Sequence, residues 1–280
     1  MRDLSHGLEN VAVAIDENAV REYGFPEFEY TPENVSGPGC SADPGEVTLP
    51  GCECRAQSCH PATCGCQRRF GPPYDERGGL LRRQDDGTGL CRPVMECNVL
   101  CGCGESCRNR VVLRVFRTQD RGWGVQAAEA VPRGRFVCEY AGEVIGREEA
   151  QRRQLAQGPG DMNYIIAVRE HAGQGPAHET FVDPARVGNV GRFINHSCQP
   201  NLVMTPVRVH SAVPRLALFA GRDIAAHEEV TFDYSGRFGN GEGGPGEPGG
   251  TKGTHQRKPC YCGTQKCAGF LPLDVTVLHS

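Results

Sequence analysis

The chain carries 16 cysteines in 280 residues, and their spacing limits what it can fold into more than any other feature. An oxidising compartment would make them disulfides; a reducing one makes them metal ligands. Residues 1–20 are interrupted by Arg2, Asp3, His6, Glu9, Asp16 and Glu17, so no secretory leader is expected. Metal ligation is therefore the first reading. Thiols packed as small apolar groups are the alternative, and the regular spacing argues against it for most of them. One cluster runs from Cys52 to Cys107 and a second from Cys260 to Cys267, while Cys40, Cys138 and Cys198 stand apart.

The first cluster has a rhythm: Cys52, Cys54, Cys59, Cys64 and Cys66, then Cys97, Cys101, Cys103 and Cys107. Zinc prefers four thiolates in a tetrahedron. Two separate sites would leave one of these cysteines over. A triangular three-zinc cluster uses them all if three sulfurs each bridge two metals. Such a cluster is anionic and suits Arg55, Arg68, Arg69, Arg108 and Arg110 nearby. An all-cysteine shell has no open position, so these metals are expected to hold a core-poor module together rather than perform chemistry. Cys91 and His60 fall outside the rhythm, although Cys91 could exchange with one of the ligands.

Glycine (37) and proline (20) argue for many turns and against a helical bundle. Short apolar runs rich in Val, Ile, Phe and Tyr fill the middle of the chain: Val111–Phe116, Phe136–Val144, Tyr164–Val168, Thr180–Val182, Leu202–Val209, Leu216–Phe219 and Glu229–Phe232. Turn residues such as Arg133-Gly134 and Asp183-Pro184 separate them, a mainly β pattern. One helix is predicted over Arg147–Gln157, stopped by Gly158-Pro159. The organisation read from this is a lead-in (1–45) packing through Phe25, Phe28 and Tyr30, a cysteine-rich module (46–111) and a β domain (112–235). A flexible glycine-rich linker (236–255) and a second cysteine-rich module (256–280) follow. No run approaches the length of a membrane span.

Three motifs sit in the β region. They are Arg121-Gly122-Trp123-Gly124, Gly191-Arg192-Phe193-Ile194-Asn195-His196-Ser197-Cys198, and Glu229-Val230-Thr231-Phe232-Asp233-Tyr234. Each is weak alone, since a Gly-x-Gly is usually a turn and an Asn-His pair usually a polar loop. Their order, framed by the cysteine clusters, resembles the SET-domain protein lysine methyltransferases with pre-SET and post-SET zinc modules. Phe136-Val137-Cys138-Glu139-Tyr140-Ala141-Gly142-Glu143 looks like a further family motif, and Cys260-x-Cys262-x4-Cys267 matches post-SET. The resemblance covers roughly residues 46–275. Between Arg110 and Phe116 the chain is several residues shorter than the family pattern, which bears on the approach to the first SET strand.

The resemblance implies a SET fold of short curled sheets with a pseudoknot-like crossing. It implies S-adenosylmethionine as methyl donor, held by Arg121, Gly122, Trp123, Tyr164, Arg192, Asn195 and His196. Tyr234 and Tyr140 would orient the accepting amine, and Phe232 would tune how many methyls are added. Post-SET supplies three thiolates where zinc takes four, and Cys198 would complete Cys260, Cys262 and Cys267, for four structural zincs per chain. The reaction is a direct displacement at the sulfonium methyl. The lysine amine, with an ordinary pKa of about 10.4, must be neutral; an apolar channel beside a cationic donor favours that form.

The implied substrate is a histone H3 tail or nucleosome, at lysine nine, four or thirty-six, and the implied location is nuclear chromatin. The alternative is a zinc-rich scaffold that holds a histone tail or chromatin partner without catalysis. Direct sequence-specific DNA binding is not expected. Basic residues occur only as pairs such as Arg68-Arg69 and Arg82-Arg83, and the net charge is −4. The chain ends at Ser280, so no DNA-cleaving or end-binding role is carried over.

Overall fold

The computed structural model describes residues 2–9, 12–46, 94–95, 113–158, 161–170, 178–208, 211–235 and 258–272. The nine-cysteine array, Cys91, His60 and the glycine-rich linker lie outside the described residues. The rest is mainly β, with three sheets, a main apolar core and two smaller apolar clusters among the described residues.

The first sheet orders Arg2–Asp3, Ala14–Ile15, Leu113–Arg117, Trp123–Ala127, Glu229–Phe232 and Asn195–His196. The second orders Ile166–Glu170, His178–Gly188, Gly142–Ile145 and Val35–Ser36, with Glu29–Tyr30 also on the long His178–Gly188 strand. The third orders Val94–Met95, Leu202–Arg208, Arg215–Ala220 and Phe136–Glu139. The Leu202–Arg208 strand shows how the sequence sets its face: Leu202, Met204 and Pro206 are buried, while Val203 and Thr205 alternate with them on the other, half-buried side. Despite the short approach, Leu113–Arg117 pairs along its whole length with Trp123–Ala127.

Several expectations needed correction. The run Phe136–Val144 is two strands in different sheets, Phe136–Glu139 and Gly142–Ile145. The buried Asn189 side chain makes the break possible. Its amide donates to the Glu139 carbonyl (2.8 Å), and its Oδ1 accepts from Ala141 (3.3 Å) and Gly191 (2.9 Å). Backbone groups that leave one sheet thus keep partners without water. Asp183-Pro184 is not a turn between strands. It lies inside His178–Gly188 as a register shift, which accommodates a proline that has no N–H to donate. The predicted helix ends at Leu155 rather than Gln157.

The lead-in is more structured than an extended segment. It contains a helix, Glu17–Tyr23, capped by Asp16, whose carboxylate accepts from the Asn18 N–H at 2.9 Å. That helix buries none of its residues, so no apolar stripe announced it. Short strands on either side pair parallel with Arg114–Val115 and Glu143–Val144. Phe25, Phe28 and Tyr30 pack on the core as the sequence suggested.

Candidate active site and metal centre

The site is built where two strands far apart in sequence run parallel. Asn195 pairs with Thr231 and His196 with Phe232. The Ser197 N–H continues the contact by donating to the Phe232 carbonyl (3.2 Å). Asn201, 2% exposed, locks the pair: its amide donates to the Glu229 carbonyl (2.8 Å) and its Oδ1 accepts from the Thr231 N–H (2.8 Å).

The Arg121–Trp123 turn is tied to this pair from one side. The Asn195 amide donates to the Trp123 carbonyl (3.1 Å) and to Glu229 Oε1 (3.0 Å), and Arg121 forms an ion pair with the other Glu229 oxygen. Local sequence does not reveal Glu229 as part of the site, because its partner Arg121 lies 108 positions away. Gly122 has φ +72°, a left-handed conformation that glycine adopts without strain. Its carbonyl accepts from the Thr118 N–H (2.8 Å) and hydroxyl (2.7 Å). The Trp123 ring lies against Phe25, with centroids 5.0 Å apart, and under the Arg117 guanidinium at 5.9 Å.

Aromatic rings form the other side. Tyr140, Phe232 and Tyr234 make a continuous row of rings, edge-on at 64° and tilted at 50°, with centroids 5.6 Å and 4.8 Å apart. The Tyr140 hydroxyl donates to the Tyr164 carbonyl (2.6 Å) and the Tyr234 hydroxyl to the Ile194 carbonyl (2.8 Å). Burial raises both phenols above the usual tyrosine range, so both are neutral O–H groups. Arg192, 6% exposed, lies under the faces of Phe28 (4.3 Å), Phe193 (5.0 Å) and Tyr164 (5.1 Å). Its Nη2 donates to the Ala185 carbonyl, while Nε and Nη1 have no protein partner among the described residues. Burial lowers its pKa. Every non-cysteine residue expected to hold the donor or orient the amine therefore belongs to one contiguous set of contacts.

The four thiols Cys198, Cys260, Cys262 and Cys267 converge, with all sulfurs within 4.8 Å of one another. A tetrahedron with metal–sulfur bonds of about 2.3 Å has edges of about 3.8 Å. The Cys198–Cys260 sulfur separation is 3.9 Å. The Ala268 N–H donates to the Cys198 sulfur and the Gly269 N–H to that of Cys267, both at 3.4 Å, as thiolate ligands require. Burial pushes the Cys262 thiol up. At Cys262 the Thr264 hydroxyl and backbone N–H groups outweigh it and bring the pKa down to about 6, while burial keeps the Cys198 and Cys260 thiols raised. In donor type and spacing the set fits zinc. Cys138 is a buried strand residue, and the Cys40 thiol donates to the Ala42 carbonyl.

Mainly β sheets, this parallel strand pair and a four-thiol centre beside a cluster of tyrosines define a class, and comparison with known proteins agrees with it. A SET domain matches residues 122–235 and a Pre-SET motif residues 5–110. The chain belongs to the SET-domain histone-lysine N-methyltransferases. A relative of high similarity is the histone-lysine N-methyltransferase SETMAR of Bos taurus, 51% identical over 97% of this chain and 89% of its own. The crystal structure of the methyltransferase domain of human SETMAR superposes with a TM-score of 0.81 at 44% identity, covering 98% of each chain. A KRYPTONITE complex with mCHH DNA, an H3(1–15) peptide and SAH superposes with a TM-score of 0.68 at 28% identity, over 97% of this chain and 54% of that one.

Proposed function

We propose that this protein transfers a methyl group from S-adenosylmethionine to a lysine side chain of histone H3, in the nucleus and on chromatin. The observation that carries this reading is the parallel pairing of Asn195–His196 with Thr231–Phe232, which sets the Asn-His motif against Tyr234. S-adenosylmethionine supplies a methyl group on a cationic sulfur. Arg121, Gly122, Trp123, Tyr164, Arg192, Asn195 and His196 would hold it, consistent with the SAH in the KRYPTONITE complex. Two nitrogens of buried Arg192 without a partner among the described residues leave hydrogen-bonding capacity that a polar ligand can use.

The residues of the chain then have separate tasks. The Tyr140 and Tyr234 hydroxyls, each fixed by a backbone carbonyl, orient the amine by positioning rather than by proton transfer. The apolar Tyr140–Phe232–Tyr234 row excludes water and favours the neutral amine. Phe232 is 1% exposed and carries no polar atom, leaving room for an amine that already bears a methyl.

Zinc at Cys198, Cys260, Cys262 and Cys267 would pin the tail beside the site, and three more zincs would be held by the nine cysteines between Cys52 and Cys107. The decisive experiment is a donor-binding titration followed by methyl transfer to H3 peptides covering lysines four, nine and thirty-six. Donor binding with transfer to one of them supports the reading. Peptide binding without donor binding or transfer replaces it with a catalytically silent histone-tail module.

A further inference from the structure

His196 touches both halves of the site with one ring. Its Nδ1 lies 3.2 Å from the Tyr234 backbone nitrogen, and its Nε2 lies 3.4 Å from the Cys198 sulfur. A backbone N–H can only donate, so Nδ1 must be the accepting nitrogen. In a neutral imidazole the proton then sits on Nε2, which points at the sulfur. The ring is 5% exposed, so both nitrogens find their partners inside the protein. The Asp233 carboxylate stands 3.8 Å from Nδ1, beyond hydrogen-bond range, and does not reverse the assignment. The ring also lies on the Tyr234 phenol, with centroids 5.3 Å apart.

We propose that His196 is a positioning residue that couples the four-thiol centre to Tyr234. Its Nε2–H donates to the Cys198 thiolate, its Nδ1 holds the Tyr234 backbone, and its ring supports the phenol. The proposal rests on the reading of Cys198, Cys260, Cys262 and Cys267 as a zinc site. Hydrogen bonds from groups outside the ligand set orient metal ligands, and their loss commonly weakens a site about 10–100-fold. Here the same ring that would steady the thiolate also steadies the residue that faces the amine. Loss of the metal would therefore reach Tyr234 through one side chain, without unfolding the sheets.

The test uses the full chain in its zinc-loaded form. Nitrogen-15 NMR of the histidine rings is expected to show His196 protonated on Nε2 only, and the Tyr234 amide resonance to shift when a chelator removes zinc. His196→Asn keeps an acceptor near the Nδ1 position but cannot reach the sulfur. It is expected to release zinc to a chromophoric chelator about 10-fold faster. His196→Gln, whose amide can reach the sulfur, is expected to restore slow release while lowering kcat more than it raises KM. Protonation on Nδ1, or equal zinc release from wild type and His196→Asn, overturns the coupling. A zinc count unchanged by Cys198→Ser overturns the metal reading itself and the coupling with it.

Discussion

The Tyr234 hydroxyl donates to the Ile194 carbonyl at 2.8 Å across 40 residues of chain, so a distant backbone group fixes the phenol's direction. Tyr234→Phe keeps the ring in its place against Phe232 and His196 and removes only that hydroxyl. Methyl transfer should fall about 100-fold or more, the scale of losing one preorganised polar group. Zinc content and donor affinity should stay close to wild type. Single-turnover transfer rates beside a donor titration check this. Near-normal transfer would reduce Tyr234 to core packing and leave Tyr140 as the orienting phenol.

Phe232 lies between the two tyrosines with no polar atom of its own. The wild-type enzyme should therefore proceed beyond monomethyl-lysine. Phe232→Tyr adds a hydroxyl that crowds the amine and should shift the product toward monomethyl-lysine. Mass spectrometry of long reactions reads the outcome, and a wild type that stops at one methyl contradicts it.

Gly124 sits where the Trp123 strand passes closest to Asn195. A Cβ there would meet Thr118 Cγ2 at 2.6 Å and both Asn195 Nδ2 and Glu229 Oε1 at 3.0 Å. Gly124→Ala should cost about 1–3 kcal/mol of stability through overpacking. It should also weaken donor binding, because the displaced groups are the ones that tie the two motifs together. Denaturant midpoints and donor titration measure both. A variant of unchanged stability would mean that Asn195 and Glu229 yield freely.

Glu228 carries the expected pH dependence. The Arg222 guanidinium holds its carboxyl down to about 2 against the burial that opposes it, from an ordinary 4.5. A depressed carboxyl contributes stability that is present above the unfolded value and lost as pH falls through the folded one. Stability should therefore decline between about pH 4.5 and 2, and Glu228→Gln should flatten part of that decline. Glu228 also accepts from Asn201, which locks the strands of the site, so the loss is felt there. Thermal unfolding of both proteins over this range decides it. Acid lability common to both cancels in the difference, and identical slopes would remove Glu228 from the account.

Residue spacing revealed the parts of this molecule that depend on local chemistry. The Glu229–Phe232 strand has the limits read from its apolar run, and Cys198 does join the distant thiol trio. Relationships set by distant neighbours were not legible. Nothing in Phe136–Val144 announces that Asn189, some 50 positions later, will donate to the Glu139 carbonyl and accept from the Ala141 N–H where one run becomes two strands. Pro184 read as a strand end because its missing N–H is a local fact, while the long strand that carries it past the gap is a tertiary one. The Glu17–Tyr23 helix is invisible in the sequence because it packs on the core through the half-buried Val20 alone and has no buried stripe.

The position of Cys198, 62 residues ahead of Cys260, has a consequence for synthesis. On a ribosome adding about 5–20 residues per second, the Asn195–His196 strand and its neighbouring thiol emerge roughly 3–12 s before the second thiol of the quartet. Throughout that interval the thiol has no companions, and for much of it the strand edge has no Glu229–Phe232 to pair with. A nascent chain paused there holds an open edge and a reactive sulfur together, a state that invites mispairing or oxidation. Codon choice and translation speed across this stretch should therefore influence the yield of competent protein, even though they alter no residue of it.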